Sequence, residues 1–306
     1  MRIRGWLDTT TSYIQEEGVV TGTQYGVRDL LFGIYHNVPY SIGTPVYEME
    51  WDVLVILDAL RYDVLKDVGE GYDFLPDTFG SVYSVASSSA RWMERTFDTK
   101  YRPIMRETAY VTGNPYSQSH LDSNDFALLD EVWRYAWDDE VGSVPADAIT
   151  DRAIEVGRTH EYERLMIHYM QPHFPSFPKP VAGGVGLDDF GHQYLPVWEL
   201  LENGDLDVAI AWESYKANTR YVLDSVGELI RNLDGDTVII TSDHGNAFGE
   251  WGVYGHPVDK PLPVLRKVPW VPVEADDLGY RTPSTIVDHD RVDTDVEARL
   301  RDLGYR

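Results

Sequence analysis

The sequence predicts an α/β fold in which helices cover both faces of a mostly parallel central sheet. Three observations predict it. Short apolar, β-branched runs alternate along the chain with longer segments of helical periodicity. These runs are apolar throughout, as in strands that are buried on both faces. The chain, at 306 residues, is long enough to bury a full core.

The two clearest strands each end at acidic residues. One run, 51–57, ends at Asp58, and another, 237–241, is followed by Asp243 and His244. Ligand sites of open parallel sheets lie at the carboxyl edge of the strands, so these carboxylates converge there. A pair of carboxylates suits a divalent cation. Either Asp alone could instead cap the following helix, but a nearby serine cluster and further histidines favour the metal site.

The remaining elements follow the same patterns. We expect further strands at 80–86, 108–112, 164–170 and 268–273, and helices near 27–35, 145–158, 207–233 and 292–303. The strand at 268–273 contains prolines, which cannot donate ladder hydrogen bonds. It must therefore lie at an edge of the sheet or be broken.

We expect the chain to comprise an N-terminal extension packed on the core (1–50), a site-bearing domain (51–275) and an acidic C-terminal tail with a short helix (276–306). Within the domain, the Gly- and Pro-containing segment 176–205 is a candidate lid or substrate loop.

The composition excludes several classes of protein. There is no cysteine, so disulfides, thiolate catalysis and Cys-ligated zinc are excluded. The 51 acidic residues against 26 basic ones give a formal charge of −25, and few of the basic residues are Lys. This is typical of a halophilic protein, and we expect a halophilic archaeon as the source, although a basic partner would also fit. Nucleic acid would be repelled.

We find no apolar run long enough to span a membrane and no secretory leader, and therefore expect a cytoplasmic protein.

A serine cluster follows the predicted strand at 80–86. Ser87, Ser88 and Ser89 precede good helix formers and then Arg91, which marks a helix N-terminus where free N–H groups favour an anion. Such serines can be mere caps. Their position after a strand, with an arginine close behind, favours a catalytic role.

Several histidines complete the pattern. His173 lies between prolines just after the strand at 164–170, which fixes it at the same sheet edge. His168, within that strand, is interpreted as a core residue. His256 and Lys260 follow the Asp243 segment, and we expect Lys260 to bind substrate.

Together these segments resemble the alkaline phosphatase and sulfatase superfamily, most closely its sulfatase-like branch. The resemblance covers roughly residues 50–275. It rests on four motifs: Leu-Asp-Ala-Leu-Arg at 57–61, Ser-Ser-Ser-Ala-Arg at 87–91, Gln-Pro-His-Phe-Pro at 171–175, and Thr-Ser-Asp-His-Gly at 241–245 running on to Gly-His at 255–256. The last of these is specific and the others are supportive.

The resemblance implies roles for these residues. Asp58, Asp243 and His244 would bind a divalent metal, and Ser87 would be the metal-activated nucleophile, with Ser88 as the alternative. Physical reasoning adds that Arg91 and the helix N-terminus can hold the non-bridging oxygens of an ester. His173 and His256 would bind substrate oxygens, serve the leaving group or complete a second metal site. A mixed oxygen and nitrogen ligand set favours Zn²⁺ or Mn²⁺, with Ca²⁺ or Mg²⁺ as alternatives.

Two departures from the family pattern matter. Ser89 occupies the position of a proline in typical sulfatases, whose first residue becomes formylglycine, so an unmodified serine is the simpler interpretation and favours phosphate over sulfate esters. Gln171 stands where an acidic ligand of a second metal is expected, which favours one metal. The implied function is a metal-dependent hydrolase or transferase acting on a phosphate or sulfate ester of a small molecule, glycan or lipid. The alternative is a non-catalytic relative that keeps the metal as a binding or assembly module.

Overall fold

A seven-stranded sheet forms the centre of the protein in the computed structural model, which describes residues 3–36, 43–193 and 195–284. The strands in chain order are β1 (Val53–Leu57), β2 (Gly80–Tyr83), β3 (Thr108–Thr112), β4 (Leu128–Glu131), β5 (Arg164–Tyr169), β6 (Gly235–Thr241), β7 (Ala247–Phe248), β8 (Tyr254–Gly255) and β9 (Lys267–Ala275). The sheet order is β2-β9-β6-β1-β5-β3-β4, and β7 and β8 form a separate antiparallel pair. In the large sheet β9 runs against its neighbours and the other strands are parallel, as predicted.

The helices in chain order are α1 (Ile3–Glu17), α2 (Val19–His36), α3 (Tyr62–Val68), α4 (Ser89–Thr96), α5 (Arg102–Met105), α6 (Ser117–His120), α7 (Trp133–Ala136), α8 (Ala146–Thr159), α9 (Pro196–Glu202), α10 (Val208–Ile230) and α11 (Pro263–Arg266). Residues of α3, α8 and α10 pack on one face of the sheet and residues of α4 on the other. Among the described residues, no helix combines the length and the apolar character needed to span a membrane.

Strand β1 shows why its sequence is apolar throughout. Val53, Val55 and Leu57 belong to the core cluster that includes residues of α3, α8 and α10, whereas Leu54 and Ile56 belong to the cluster that includes residues of α4. All five side chains are buried, and each contributes about 1.5–3 kcal/mol relative to an exposed position. Successive side chains alternate between faces, so Asp58 continues the face covered by α4.

The register of β1 and β6 determines where the candidate site lies. The two strands are adjacent and parallel, with Ile56 opposite Thr241. Asp58 and Asp243 each follow two residues later, so both acids leave the sheet at the same level of its carboxyl edge. This is the convergence that the two strand sequences predict.

The expected edge position of the last strand is wrong, because β9 lies between β2 and β6. The pairing explains how its prolines are tolerated. Short β2 pairs with 267–270 and β6 with 270–275, so the two neighbours overlap only at Trp270. Pro269 and Pro272 therefore each have a partner strand on one side only. The proline nitrogen, which has no hydrogen to donate, can face the unpaired side, so no ladder hydrogen bond is lost.

The N-terminal extension is a helical hairpin, α1 and α2, where the sequence predicts only one helix near 27–35. Two glycines allow the helices to approach closely. A Cβ at Gly22 would lie 2.3 Å from the Ile14 backbone N, and one at Gly26 would lie 2.4 Å from Thr10 Cγ2. This hairpin contacts the domain through Arg28, whose Nη1 donates to Trp251 O at 3.2 Å. The helix expected near 292–303 lies outside the described residues.

Candidate metal centre

Asp58, Asp243 and His244 form a buried cluster whose potential ligand atoms all lie within 4.8 Å of one another. His244 Nε2 is 3.6 Å from Asp58 Oδ1 and 3.4 Å from Asp243 Oδ2. These two carboxylate oxygens are buried and have no hydrogen-bond partner. Buried polar atoms are normally satisfied, so two orphaned anionic oxygens beside an imidazole fit a divalent cation.

Each carboxylate is held by its other oxygen. Asp243 Oδ1 accepts hydrogen bonds from Ala59 N at 3.0 Å and His244 N at 2.9 Å. Asp58 Oδ2 accepts one from Asn114 Nδ2 at 2.7 Å. One oxygen of each acid is thus used for orientation and the other is left free, which is the usual arrangement around metal ligands.

The backbone after Asp58 is held in an uncommon conformation. Ala59 has a φ of 63°, a left-handed value that costs a residue other than glycine about 1–3 kcal/mol. Tyr215 of α10 stabilises it, because its hydroxyl donates to Ala59 O and accepts from Arg61 N at 3.1 Å. Opposite, Gly245 leaves room for a close approach, since a Cβ there would lie 2.2 Å from Val264 O. Both loops that carry the candidate ligands are therefore fixed by the surrounding fold.

The two acids differ in their electrostatics. Burial, and next the charge of Asp243, raise the pKa of Asp58 well above its ordinary value. Burial also acts to raise the pKa of Asp243. The charge of His244 and the hydrogen bond from the Ala59 amide act in the opposite direction, and the pKa of Asp243 is lowered from its ordinary value. Two buried carboxylates this close are stable together only if a proton or a cation lies between them.

Ser89, rather than Ser87, is the serine that faces the cluster. Its Oγ lies 3.2 Å from Asp58 Oδ2 and 3.0 Å from His244 Nε2. Ser87 Oγ instead donates to Pro257 O at 2.8 Å and accepts from Lys260 N at 3.1 Å. Ser88 precedes the helix as its N-cap residue, and its Oγ has no hydrogen-bond partner. The structure thus brings Ser89, and not the expected Ser87, to the carboxylates, because α4 begins at Ser89 and its first turn reaches them. The roles of metal ligand and nucleophile expected for Ser87 stay predictions.

The structure places Arg91 away from the cluster, so the substrate role expected for it stays a prediction. Arg91 lies two residues after Ser89 and hence about 200° around the helix axis, which turns it away from the cluster. Its side chain is 41% exposed and pairs with Glu94 and, at 3.7 Å, with Asp259. Arg91 does not line the cavity above the site.

His173 and His256 form a pair beside the cluster. Their Nε2 atoms are 2.9 Å apart, and the His256 ring centroid is 4.5 Å from that of His244. His173 is fixed by its backbone, because its N donates to Asp58 O at 3.0 Å and its O accepts from Asn218 Nδ2 at 3.0 Å. Burial, and next the charge of His244, lower the pKa of His173 to about 4. His256 thus faces His173, adjacent to but outside the three-residue metal cluster.

A cavity of about 660 Å³ opens above this cluster. Ser89, His173, His256 and Lys260 line it. The segment 176–205, expected to form a substrate loop, supplies much of the apolar wall through Val185, Phe190, Leu195 and Trp198. The floor is therefore polar and the walls are apolar, as in many small-molecule sites.

Sequence reasoning missed three further residues at the site. Asn114 follows β3 and orients Asp58. Arg28 reaches the cavity from the N-terminal hairpin. The pKa of Lys260 is lowered first by the burial of Lys260 and second by the charge of Arg28. His168, interpreted as a core residue, is buried in β5 with Nε2 3.8 Å from Asp58 Oδ2. The serine cluster marked the region of Ser89 but pointed to Ser87 or Ser88 as the nucleophile, and no comparable sequence signal marks these three.

Comparison with solved structures finds this architecture in other proteins at low sequence identity. The integral membrane protein lipooligosaccharide phosphoethanolamine transferase A (EptA) from Neisseria meningitidis is 14% identical, with a TM-score of 0.51 over 88% of this chain and 58% of that one. This chain therefore spans little more than half of that protein. The C-terminal periplasmic domain of EcEptC from Escherichia coli, in complex with Zn, is 12% identical, with a TM-score of 0.45 over 82% and 80% of the two chains.

The lipoteichoic acid synthase LtaP from Listeria monocytogenes is 13% identical, with a TM-score of 0.42 over 76% of this chain and 66% of that one. No protein-family model and no curated protein matches the sequence. At these identities the likeness concerns the fold. The chain shares the fold of the Neisseria meningitidis transferase over most of its length.

Proposed function

We propose that the protein is a metal-dependent enzyme that transfers or hydrolyses a phosphate ester through Ser89. The observation that carries the proposal is the position of Ser89 Oγ, 3.0 Å from His244 Nε2 and 3.2 Å from Asp58 Oδ2, on the first turn of α4. Asp58, Asp243 and His244 would hold the cation. Their mixed oxygen and nitrogen donors favour Zn²⁺ or Mn²⁺ over Ca²⁺ or Mg²⁺.

The cation, when bound, lowers the pKa of the serine hydroxyl and offsets the negative charge of the ester. The residues of the chain do the rest. Ser89 Oγ releases its proton to solvent and forms a bond to phosphorus, and the bond from phosphorus to the leaving-group oxygen breaks; the serine oxygen is regenerated when the acceptor displaces it from phosphorus. Free N–H groups of the first turn of α4 point toward the non-bridging oxygens and stabilise their charge.

The His173 and His256 pair is placed to handle the proton of the leaving group. With Nε2 atoms 2.9 Å apart, the two imidazoles can hold one proton between them but not a proton each on those atoms. The proton passes to the departing oxygen, and the pair later receives one from the acceptor that attacks phosphoserine. Water as acceptor gives hydrolysis, and an alcohol gives transfer.

The cavity supports a substrate with an apolar part beside its phosphate. Val185, Phe190 and Trp198 supply the apolar surface, and Lys260 and Arg28 supply positive charge near the entrance. A phosphate ester of a lipid, or of another amphiphilic molecule, satisfies both kinds of lining. An unmodified serine favours phosphate over sulfate, because sulfatase chemistry depends on the oxidised residue.

A panel of chromogenic substrates tests the proposal. Purified protein is assayed with an aryl phosphate monoester, an aryl phosphodiester and an aryl sulfate, each with Zn²⁺, Mn²⁺, Mg²⁺ or Ca²⁺ at several salt concentrations. We expect turnover of a phosphate ester that requires Zn²⁺ or Mn²⁺ and is lost in Ser89→Ala. Bound metal without turnover of any ester would instead indicate a non-catalytic binding module.

A further inference from the structure

His168 is an unusual residue for its position in the sheet. It lies in β5, paired with Ile56 of β1 on one side and Thr112 of β3 on the other. Its side chain is fully buried. Because Ile56 is two residues before Asp58, the His168 ring lies one layer below the carboxylates, on the interior side of the site.

One nitrogen of this ring points at the metal cluster and is otherwise unused. Nε2 lies 3.8 Å from Asp58 Oδ2 and 3.9 Å from Asp243 Oδ2, distances too long for hydrogen bonds. It has no hydrogen-bond partner although it is buried. A buried polar atom left in this way requires an explanation, and a bound ion is one of the few available.

The other nitrogen is already engaged. Nδ1 lies 2.8 Å from Tyr110 Oη, and the ring packs edge-on against Trp92. Histidines that bind metals nearly always donate the N–H of the second nitrogen to an oxygen, which fixes the ring and the tautomer. With the Nδ1 proton donated to Tyr110, the lone pair of Nε2 faces the two aspartates.

We propose that His168 Nε2 is an additional ligand of the metal, delivered from inside the sheet. The proposal rests on the metal site of the proposed function and extends its ligand set to Asp58, Asp243, His244 and His168. Two imidazole donors together with two carboxylates make the site more suitable for Zn²⁺ and less suitable for Mg²⁺ or Ca²⁺.

X-ray absorption spectroscopy tests the proposal, because scattering from imidazole rings reports how many histidines bind the metal. The full chain is loaded with one equivalent of Zn²⁺. We expect two imidazoles per zinc in the unaltered protein and one in His168→Gln, together with a large loss of zinc affinity in a chelator competition. If His168→Gln fails to fold, His256→Gln replaces it: zinc should keep two imidazoles in that variant, and a fall to one would assign the second imidazole to His256 and overturn the proposal.

Two control variants sharpen the result. Tyr110→Phe keeps the imidazole but removes its oxygen partner, so zinc should retain two imidazoles while affinity falls by about 10–100-fold. His120→Gln, at an exposed histidine, should change neither quantity. One imidazole in the unaltered protein, or two that persist in His168→Gln, would overturn the role of His168 alone. Absence of bound zinc in the unaltered protein would overturn the metal site and with it the proposed function.

Discussion

Ser89 Oγ lies 3.0 Å from His244 Nε2, although the two residues are separated by 155 positions along the chain. The contact joins the first turn of α4 to the loop that follows β6. It places a hydroxyl within the buried cluster, also 3.2 Å from Asp58 Oδ2. This relationship places Ser89, the nucleophile of the proposed mechanism, at the candidate metal cluster.

The first prediction concerns the two aspartates in metal-free protein. Because burial and Asp243 raise the pKa of Asp58, the stability it contributes is present at low pH and is lost as pH rises through the folded-state pKa. Asp58→Asn removes this charge. Metal-free Asp58→Asn should therefore melt at a higher temperature than the unaltered protein at pH 7, by calorimetry in a chelator.

Saturating Zn²⁺ provides the control for this prediction. The unaltered protein should gain stability from the bound ion, about 2.7 kcal/mol at a hundredfold excess over Kd, and Asp58→Asn should gain little. If metal-free Asp58→Asn melted lower than the unaltered protein, the two carboxylates would not repel each other as described.

The second prediction concerns acid unfolding. Burial lowers the pKa of His173 from its ordinary 6.5 to about 4, so the unfolded chain takes up a proton between these values and the folded protein does not. The stability from this group is present above about pH 6.5 and is lost as pH falls toward 4. The difference corresponds to about 3 kcal/mol. Denaturant titrations of metal-free protein should show this fall, and His173→Gln should flatten it. Equal slopes in both proteins would contradict the burial effect.

The third prediction concerns salt. With a formal charge of −25, the folded chain repels itself, and the Debye length falls from about 10 Å at 0.1 M to about 3 Å at 1 M. The melting temperature should rise steeply between these concentrations of KCl, as expected of a halophilic protein. Sucrose at matched osmolality serves as an uncharged control. A melting temperature independent of KCl would contradict this expectation.

The fourth prediction separates two cations near α4. Lys260 lines the cavity, whereas Arg91 does not line it, is partly exposed and pairs with Glu94. Lys260→Ala should raise KM for an anionic substrate by about tenfold, which corresponds to the loss of one charged contact of about 1.4 kcal/mol. Arg91→Ala should leave kcat and KM nearly unchanged. The opposite result would restore the substrate role expected for Arg91.

The strands that carry the metal ligands could be predicted because their signal is local. The runs that form β1 and β6 are apolar on both faces and stop at acids, and parallel strands bring such ends together. The placement of Asp58 and Asp243 follows from that pattern alone.

The serine could not be chosen from sequence in the same way. Three consecutive serines differ only in which one falls on the first helical turn, and this depends on how α4 packs against the sheet. His168 posed a different problem, because a histidine in an apolar run looks like a core residue. That its Nε2 has no hydrogen-bond partner and lies near the carboxylate of Asp58, which follows the neighbouring strand β1, can be recognised only from the folded structure.

Strand β9 shows a third limit. Its prolines argue for an edge, and the staggered pairing that removes the conflict is a property of its neighbours β2 and β6. In the N-terminal hairpin, likewise, the Thr-rich first helix has weak intrinsic propensity and is stabilised by its contact with α2, as at Trp6 Nε1 and Gly26 O, 2.5 Å apart.

Trapping the covalent intermediate tests the central claim most directly. Metal-loaded protein is mixed with a phosphate ester that it turns over, quenched in acid after milliseconds to seconds, and digested for peptide mass spectrometry. Ser87→Ala serves as the matched control and Ser89→Ala as the inactive variant, with a loss of at least about 10³-fold in kcat. We expect a phosphoryl group on Ser89 in the unaltered protein and in Ser87→Ala, and none in Ser89→Ala. A phosphoryl group on Ser87 or Ser88, or full turnover by Ser89→Ala, would contradict the assignment.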